Sequence, residues 1–300
     1  GGEFGGMKAM FTMMNNARIN VGSQGVQIAE RATQQASQFA AERIQSARAG
    51  SGDKAPVAII EHPDVRRMLL RSKALTQAAR ALLYYATSSV DRATLGIEGA
   101  KSRAEILTPL IKGYGTDIGN EVASIGVQVH GGMGFIEETG AGQHFRDARI
   151  APIYEGTNGI QAADLVGRKL GLDGGEAMAT LIADIRSEAR EDENLLALAN
   201  ACEDIMRWMA SGDASIDDRL AGSYAFMTML ATATCGMLMK KQHRIASAEL
   251  ASGDDPFLKA KLVTTRYYLD HIVPEALGLK AAAIGGADIL YRLSSAELAG

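Results

Sequence analysis

Three successive stretches of this chain repeat their apolar residues every three or four positions, over lengths that suit the long helices of a bundle. Across residues 7–48, Met10, Met13, Met14, Ala17, Val21, Ile28 and Ala32 share one face. That run of about 40 residues predicts a single long helix. His62-Pro63 opens a second, because proline at the first turn gives up an N–H that would have no partner anyway. Val65, Met68, Leu69, Leu75, Ala79, Leu82 and Leu83 carry it to about residue 95. A third, over 102–128, runs through Ile106, Leu107, Leu110, Ile111, Tyr114, Ile118 and Val122. A shorter fourth begins at the N-cap candidates Thr157 or Asn158 and reaches Leu170. No useful length alternates with period two, so an all-α chain without a sheet is expected, residues 1–170 forming an antiparallel four-helix bundle.

Gly171-Leu172-Asp173-Gly174-Gly175 interrupts the pattern. Beyond it, helical stretches are expected at 177–189, 194–209, 217–250, 256–271 and 274–298, with turns at 211–213 and 252–255. These make an expected second helical domain, 171–300. Aromatic residues are only 5% against 47% hydrophobic, a balance that favours helices packed through small side chains over a β-rich core.

Several function classes drop out. The 31 basic and 35 acidic residues leave a formal charge of −4 with no basic stripe, which argues against nucleic acid. No apolar run reaches about 18 residues, so no membrane span is expected. Cys202 and Cys235 form neither a disulfide framework nor a metal pair, and read as buried thiols in helices in a reduced, cytoplasmic compartment. His62, His130, His144, His243 and His271 lack metal spacing and read as polar or capping residues. The opening Gly1-Gly2-Glu3-Phe4, without an initiator Met, reads as the start of a piece of something longer.

Two glycine-bearing stretches remain for chemistry. In Gln128-Val129-His130-Gly131-Gly132-Met133-Gly134-Phe135 the glycines let a ligand approach the backbone, or simply end a helix. In Tyr154-Glu155-Gly156-Thr157-Asn158-Gly159-Ile160-Gln161 a carboxylate precedes a helix start. Apolar neighbours there would favour its protonated form and suit a base, while the helix N-terminus favours the ionised form and offers N–H groups to an anion or carbonyl. Alternatively it is an exposed acid beside a cap. The reading as one site requires Glu155 to lie close to the glycine turn after the third helix.

Taken together with Arg146-Asp147-Ala148-Arg149-Ile150-Ala151-Pro152-Ile153-Tyr154-Glu155-Gly156-Thr157, these stretches closely resemble the acyl-CoA dehydrogenase family. There a Q-x-x-G-G-x-G-[FY] turn precedes R-D-A-[KR]-I-x-x-I-Y-E-G-T. Asn15-Asn16-Ala17-Arg18, Gly22-Ser23-Gln24-Gly25, Ala41-Glu42-Arg43 and Glu61-His62-Pro63 resemble further landmarks of the family's C-terminal bundle, and the likeness covers residues 1–170. The continuation through Gly167-Arg168-Lys169-Leu170 into more helix looks like the branch with an extra C-terminal helical domain that includes 3-methylmercaptopropionyl-CoA dehydrogenases.

The resemblance implies an FAD-dependent α,β-dehydrogenation of an acyl-CoA thioester. Glu155 would be the base removing the α-proton while the β-hydride goes to the flavin, and Gly156 would let the substrate lie close. Arg43 and Gln45 would reach the FAD of a neighbouring subunit, Gln128 and Gly132 would contact the same cofactor, and Thr157 and Gly159 would touch FAD beside the base. Asn15 and Arg18 would line the CoA and acyl site. An electron-transfer flavoprotein as acceptor and a homodimer or homotetramer are implied too. Departures exist: the family's Arg-x-Thr-Phe is Arg43-Ile44-Gln45-Ser46 here, and Pro63 replaces a glutamine. The family's N-terminal helical domain and β-domain have no counterpart in the 300 residues, so this chain by itself is expected to hold FAD poorly and turn over slowly or not at all. The alternatives are a non-catalytic helical oligomerisation module of the same fold and a nucleic-acid-binding branch of the family. Met7, Met10, Met13 and Met14 are expected to fill the core or to line an acyl tunnel.

Overall fold

A computed structural model describes residues 2–251 and 253–300; Gly1, and Ser252 of the expected turn at 252–255, lie outside the described residues. Three long helices dominate the first half: α1 (Gly6–Glu42), α2 (Pro63–Thr94) and α3 (Ala100–His130). Short helices α4 (Gly132–Phe135), α5 (Ala141–Ala148) and α6 (Asn158–Asp164) follow, and α6 runs on as a π-helical turn over Leu165–Lys169. The second half holds α7 (Glu176–Glu188), α8 (Glu193–Ala210), α9 (Ile216–Leu250) and α10 (Pro256–Tyr267), with the small helices α11 (Val273–Leu277), α12 (Lys280–Ile284) and α13 (Ser295–Leu298) behind them.

The helix starts follow local chemistry. Pro63 stands in the first turn of α2, with Asp64 at that end and Arg92 at the other, each sign complementing the helix dipole. Asp192 and Asp255 cap α8 and α10, and Ser215 with Asp218 forms a capping box on α9.

Two expectations need correcting. The first helix stops at Glu42, not at residue 48, and Ile44–Ala47 then pairs antiparallel with Pro56–Ala58, Ile44 opposite Ala58. A small hairpin therefore exists where no sheet was expected. Strands of four and three residues, mostly exposed, are too short to carry a readable alternation. The stretch 274–298 is also not one helix: it breaks at Gly278 and again at Gly285-Gly286.

α1 crosses α3 with the backbones almost touching. A methyl added to Gly25 would sit 2.3 Å from the carbonyl oxygen of Gly115, and one on Gly119 would sit 2.8 Å from the Cα of Gly25. The crossing presses the polar side chains of α1 near Arg18 against the middle of α3. One continuous set of buried side chains, including Val26, Leu75, Ile111, Leu195, Phe226 and Tyr268, joins the helices on both sides of Gly171. Cys202 and Cys235 lie buried and unpaired within it. No helix is long and apolar enough to cross a membrane among the described residues.

Candidate active site

The backbone approaching α6 turns at Glu155, with φ 56°, and at Gly156, with φ 79°. A non-glycine residue held in the left-handed region costs about 1–3 kcal/mol and persists only where its surroundings fix it. Gln161, fully buried, fixes it: its Nε2 donates to the carbonyl oxygens of Glu155 at 3.3 Å and Gly156 at 3.2 Å. Asn158 N donates to the Pro152 carbonyl at 2.9 Å, and Thr157 Oγ1 accepts from Ile160 N at 3.2 Å, which makes Thr157 the N-cap. A methyl on Gly156 would lie 2.9 Å from Gln161 Nε2 and 3.8 Å from a terminal guanidinium nitrogen of Arg18. Gly159 is exposed on the first turn.

Arg18 is buried, one guanidinium nitrogen 3.6 Å from Asp164 Oδ2 and donating to Asn15 Oδ1 at 3.3 Å. Arg168 donates to the other oxygen of Asp164. Arg18 Nε and Gln161 Oε1 are both buried without a hydrogen-bond partner. Unmet polar atoms at that depth cost about 1–3 kcal/mol each and suit a place where a polar ligand group completes the bonding.

Behind the turn sits a polar chain that the sequence reading missed. Lys112, fully buried in the apolar run of α3, donates from Nζ to Asn158 Oδ1 at 2.9 Å. Asn158 Nδ2 donates to the Gly113 carbonyl at 3.1 Å and to Asp117 Oδ1 at 2.8 Å, and Tyr224 of α9 donates to Asp117 Oδ2 at 2.6 Å. Burial pushes the Lys112 ammonium down to about 8, while the charges of Asp117 and Glu155 pull upward and that of Arg18 downward. Burial holds Asp117 above the usual carboxylate range despite the bonds from Tyr224 and Asn158 and the charges of Lys112 and Arg149. A lysine within an otherwise apolar stripe was the available signal, since lysine is almost never fully buried without a partner.

A second concavity, about 500 Å³, lies at the far end of α3. Arg43, Gln45, His130, Gly132 and Met133 line it, with Phe39, Ile59 and Val129 as apolar wall. His62 Nε2 bonds to the Gln45 carbonyl at 2.8 Å, tying the hairpin to the head of α2. Gln128, exposed, supplies the carbonyl that Gly131 N caps at 3.0 Å. Space is open where a side chain on Gly131 or Gly132 would be. No carboxylate lines this pocket, and Arg43 makes no ion pair among the described residues. A free guanidinium, bare glycine backbone and apolar walls fit part of a dinucleotide, anionic at one end and aromatic at the other.

The structure thus separates what the sequence reading placed together. Glu155 belongs with Lys112, whereas the glycine turn begins at Gly131, roughly 28 Å further along the axis of α3. The expectation of a single site is overturned, because α3 is uninterrupted helix between them. Arg43, Gln45, Gln128 and Gly132 gather at one end; Glu155, Gly156, Thr157, Gly159, Arg18 and Asn15 gather at the other. The methionines also do not fill the core. Met7, Met10 and Met13 are exposed, and Met14 is half-buried. Met13 instead lines a groove of about 1070 Å³ with Asn15, Asn16, Ile19, Val90 and Lys101. His144 and His130 bond to Gln35 and to the Gly126 carbonyl, and no metal-holding cluster exists among the described residues.

Comparison with known proteins adds the family context. The family model described as "Acyl-CoA dehydrogenase, C-terminal domain" matches residues 5–170, and "Acetyl-CoA dehydrogenase C-terminal like" matches 176–294. A 3-methylmercaptopropionyl-CoA dehydrogenase of Ruegeria pomeroyi is 44% identical over 92% of this chain and 50% of its own length. The chain spans about half the length of the curated relatives it matches. Among solved structures, Caenorhabditis elegans ACDH-11 in complex with C11-CoA aligns with a TM-score of 0.74 and 18% identity, over 98% of this chain and 50% of its own. An acyl-CoA dehydrogenase complexed with FAD from Bacillus anthracis aligns with a TM-score of 0.67 and 20% identity, over 97% and 51%. At such identities these two establish the shared helical fold.

Proposed function

The chain belongs to the acyl-CoA dehydrogenase family, and from that premise we propose that it is the C-terminal portion of an FAD-dependent enzyme that removes hydrogen from the α and β carbons of an acyl-CoA thioester, with Glu155 as the base. The observation that carries this is the strained Glu155-Gly156 turn at the mouth of α6, clamped by Gln161. The carboxylate there stands beside a glycine in the left-handed region, whose missing side chain leaves room for the Gln161 clamp. The N–H groups of the turn are available to the thioester carbonyl, where they would stabilise developing enolate charge. Glu155 then takes the α-proton.

A bound flavin would supply the hydride acceptor. Arg43, Gln45, Gln128 and Gly132 suit the cofactor of a neighbouring subunit, and Thr157 and Gly159 suit the flavin beside Glu155. The distance between these two groups of residues favours that division, which in turn calls for a homodimer or homotetramer. Asn15 and the groove beside Met13 would take the acyl portion; Arg18 serves this site from behind Gly156. An electron-transfer flavoprotein as electron acceptor, and a division into units 1–170 and 171–300, belong to the same reading.

The test is Glu155→Gln in the complete, flavin-loaded enzyme. Turnover of acyl-CoA thioesters should fall by about 1,000-fold or more, as for loss of a positioned base, with flavin content unchanged. Retained turnover removes Glu155 from the role. The 300 residues alone should bind FAD weakly; a yellow, active 300-residue chain would contradict that part.

A further inference from the structure

We propose that Lys112, Asn158, Asp117 and Tyr224 form a positioning device through which α9 holds the Glu155 turn in place. Asn158 is the first residue of α6 and follows Glu155 by three positions. Every polar atom of its amide is engaged, by Lys112 Nζ on one side and by the Gly113 carbonyl and Asp117 on the other. The helix that the Glu155 turn enters is therefore pinned to the middle of α3 by a side chain with no freedom left. Asp117 in turn divides its two oxygens between Asn158 and Tyr224. Tyr224 stands on α9, more than 60 residues beyond the turn it supports. Besides its packing on α3 and α6, the second helical segment thus adds a polar contact to the site through this phenol.

The charges make the chain cooperative. Lys112 faces Asp117 on its own helix, Arg18 on α1 and Glu155 on the turn, with Arg149 near Asp117 and Asp164 paired to Arg18. Removing the Tyr224 hydroxyl takes a donor from a carboxylate that burial already favours in its neutral form. Without it the Asp117 carboxylate loses one of the two groups that fix its orientation, so its bond from Asn158 Nδ2 and its support of the Lys112 ammonium both loosen. The amide of Asn158 then keeps Lys112 and the Gly113 carbonyl but is held less firmly from the Asp117 side, and the anchor of the Glu155 turn weakens.

The kinetic part of this inference rests on the reading of Glu155 as base; the positional part does not. The experiment compares Tyr224→Phe with the unchanged residue in the complete, flavin-loaded enzyme, measuring hydrogen–deuterium exchange over residues 153–161, kcat and KM for an acyl-CoA thioester, and the pH dependence of kcat. Exchange over that segment should rise. kcat should fall by about 10-fold to 100-fold, the scale of a displacement near 1 Å, with KM unchanged. The pH dependence of kcat should shift to lower pH, since Lys112 beside a less firmly held Asp117 carboxylate keeps its proton less well. Unchanged exchange over 153–161 overturns the proposal, as does an exchange rise spread evenly over all helices. If the unchanged complete, flavin-loaded enzyme turns over no acyl-CoA thioester, the proposed function fails and exchange alone decides the positioning. Lys112→Met is the second variant, and it should raise exchange over the same segment.

Discussion

Arg18 and Asp164 face each other at 3.6 Å with both side chains buried, 6% and 3% exposed, directly behind the Gly156 turn. Removing one member of a buried pair strands the other charge, so Arg18→Met should destabilise the chain by on the order of 3 kcal/mol. Arg168 also reaches Asp164 and softens the loss. The double variant Arg18→Met/Asp164→Leu should recover much of it. Denaturant titration of the three proteins checks this. A single variant as stable as the parent would mean that Arg18 is free for substrate.

Gly25 has no room for a side chain, with the Gly115 carbonyl 2.3 Å from where a methyl would stand. Gly25→Ala should force α1 away from α3 and cost about 1–3 kcal/mol, the usual range for overpacking. Thermal unfolding should show a lower Tm, and turnover should fall with it, because the crossing sets Arg18 against Lys112.

Gly156→Ala meets two obstacles, a φ of 79° and a contact of 2.9 Å with Gln161 Nε2. A stability loss of about 1–3 kcal/mol follows from the backbone alone. Because the added methyl also separates Gln161 from the two carbonyls it holds, kcat should drop further than Tm would suggest. Comparison with Gly167→Ala, where space is open, isolates the site effect.

Lys112 titrates at about 8 in the folded chain, against an ordinary value of 10.5 once unfolded. Between those values the unfolded chain holds the extra proton, so unfolding takes one up. The contribution of Lys112 to stability therefore rises with pH across that window and is flat below it. Denaturation free energies at pH 7.5, 8.5 and 9.5 should show a rising difference between the parent and Lys112→Met. A constant difference would mean that Lys112 keeps its proton throughout.

Much of the fold could be read along the chain because helix signals are local. Pro63, Thr157 and the Ser215–Asp218 box stand where the helices start, and the apolar faces of α2 and α3 end up buried. The stretches 128–135 and 146–157 carried the family likeness for the same reason: each is a contiguous run. The hairpin at 44–58 escaped, since strands of three and four residues leave no period to count. The exposed methionines of α1 escaped too, because apolar spacing says which residues share a face and nothing about whether another helix covers it.

The sequence by itself determined the long helices and the turn residues near their starts, and that Glu155 precedes a capped helix beside a glycine. Only the tertiary structure decided what stands around that glutamate. It brought Lys112 beneath Asn158 and Tyr224 against Asp117, and it carried the glycine turn to the opposite end of α3. Periodicity is set by bonds four residues apart, whereas these partners lie 46 and 107 positions apart, and only the packing of one helix on another selects them.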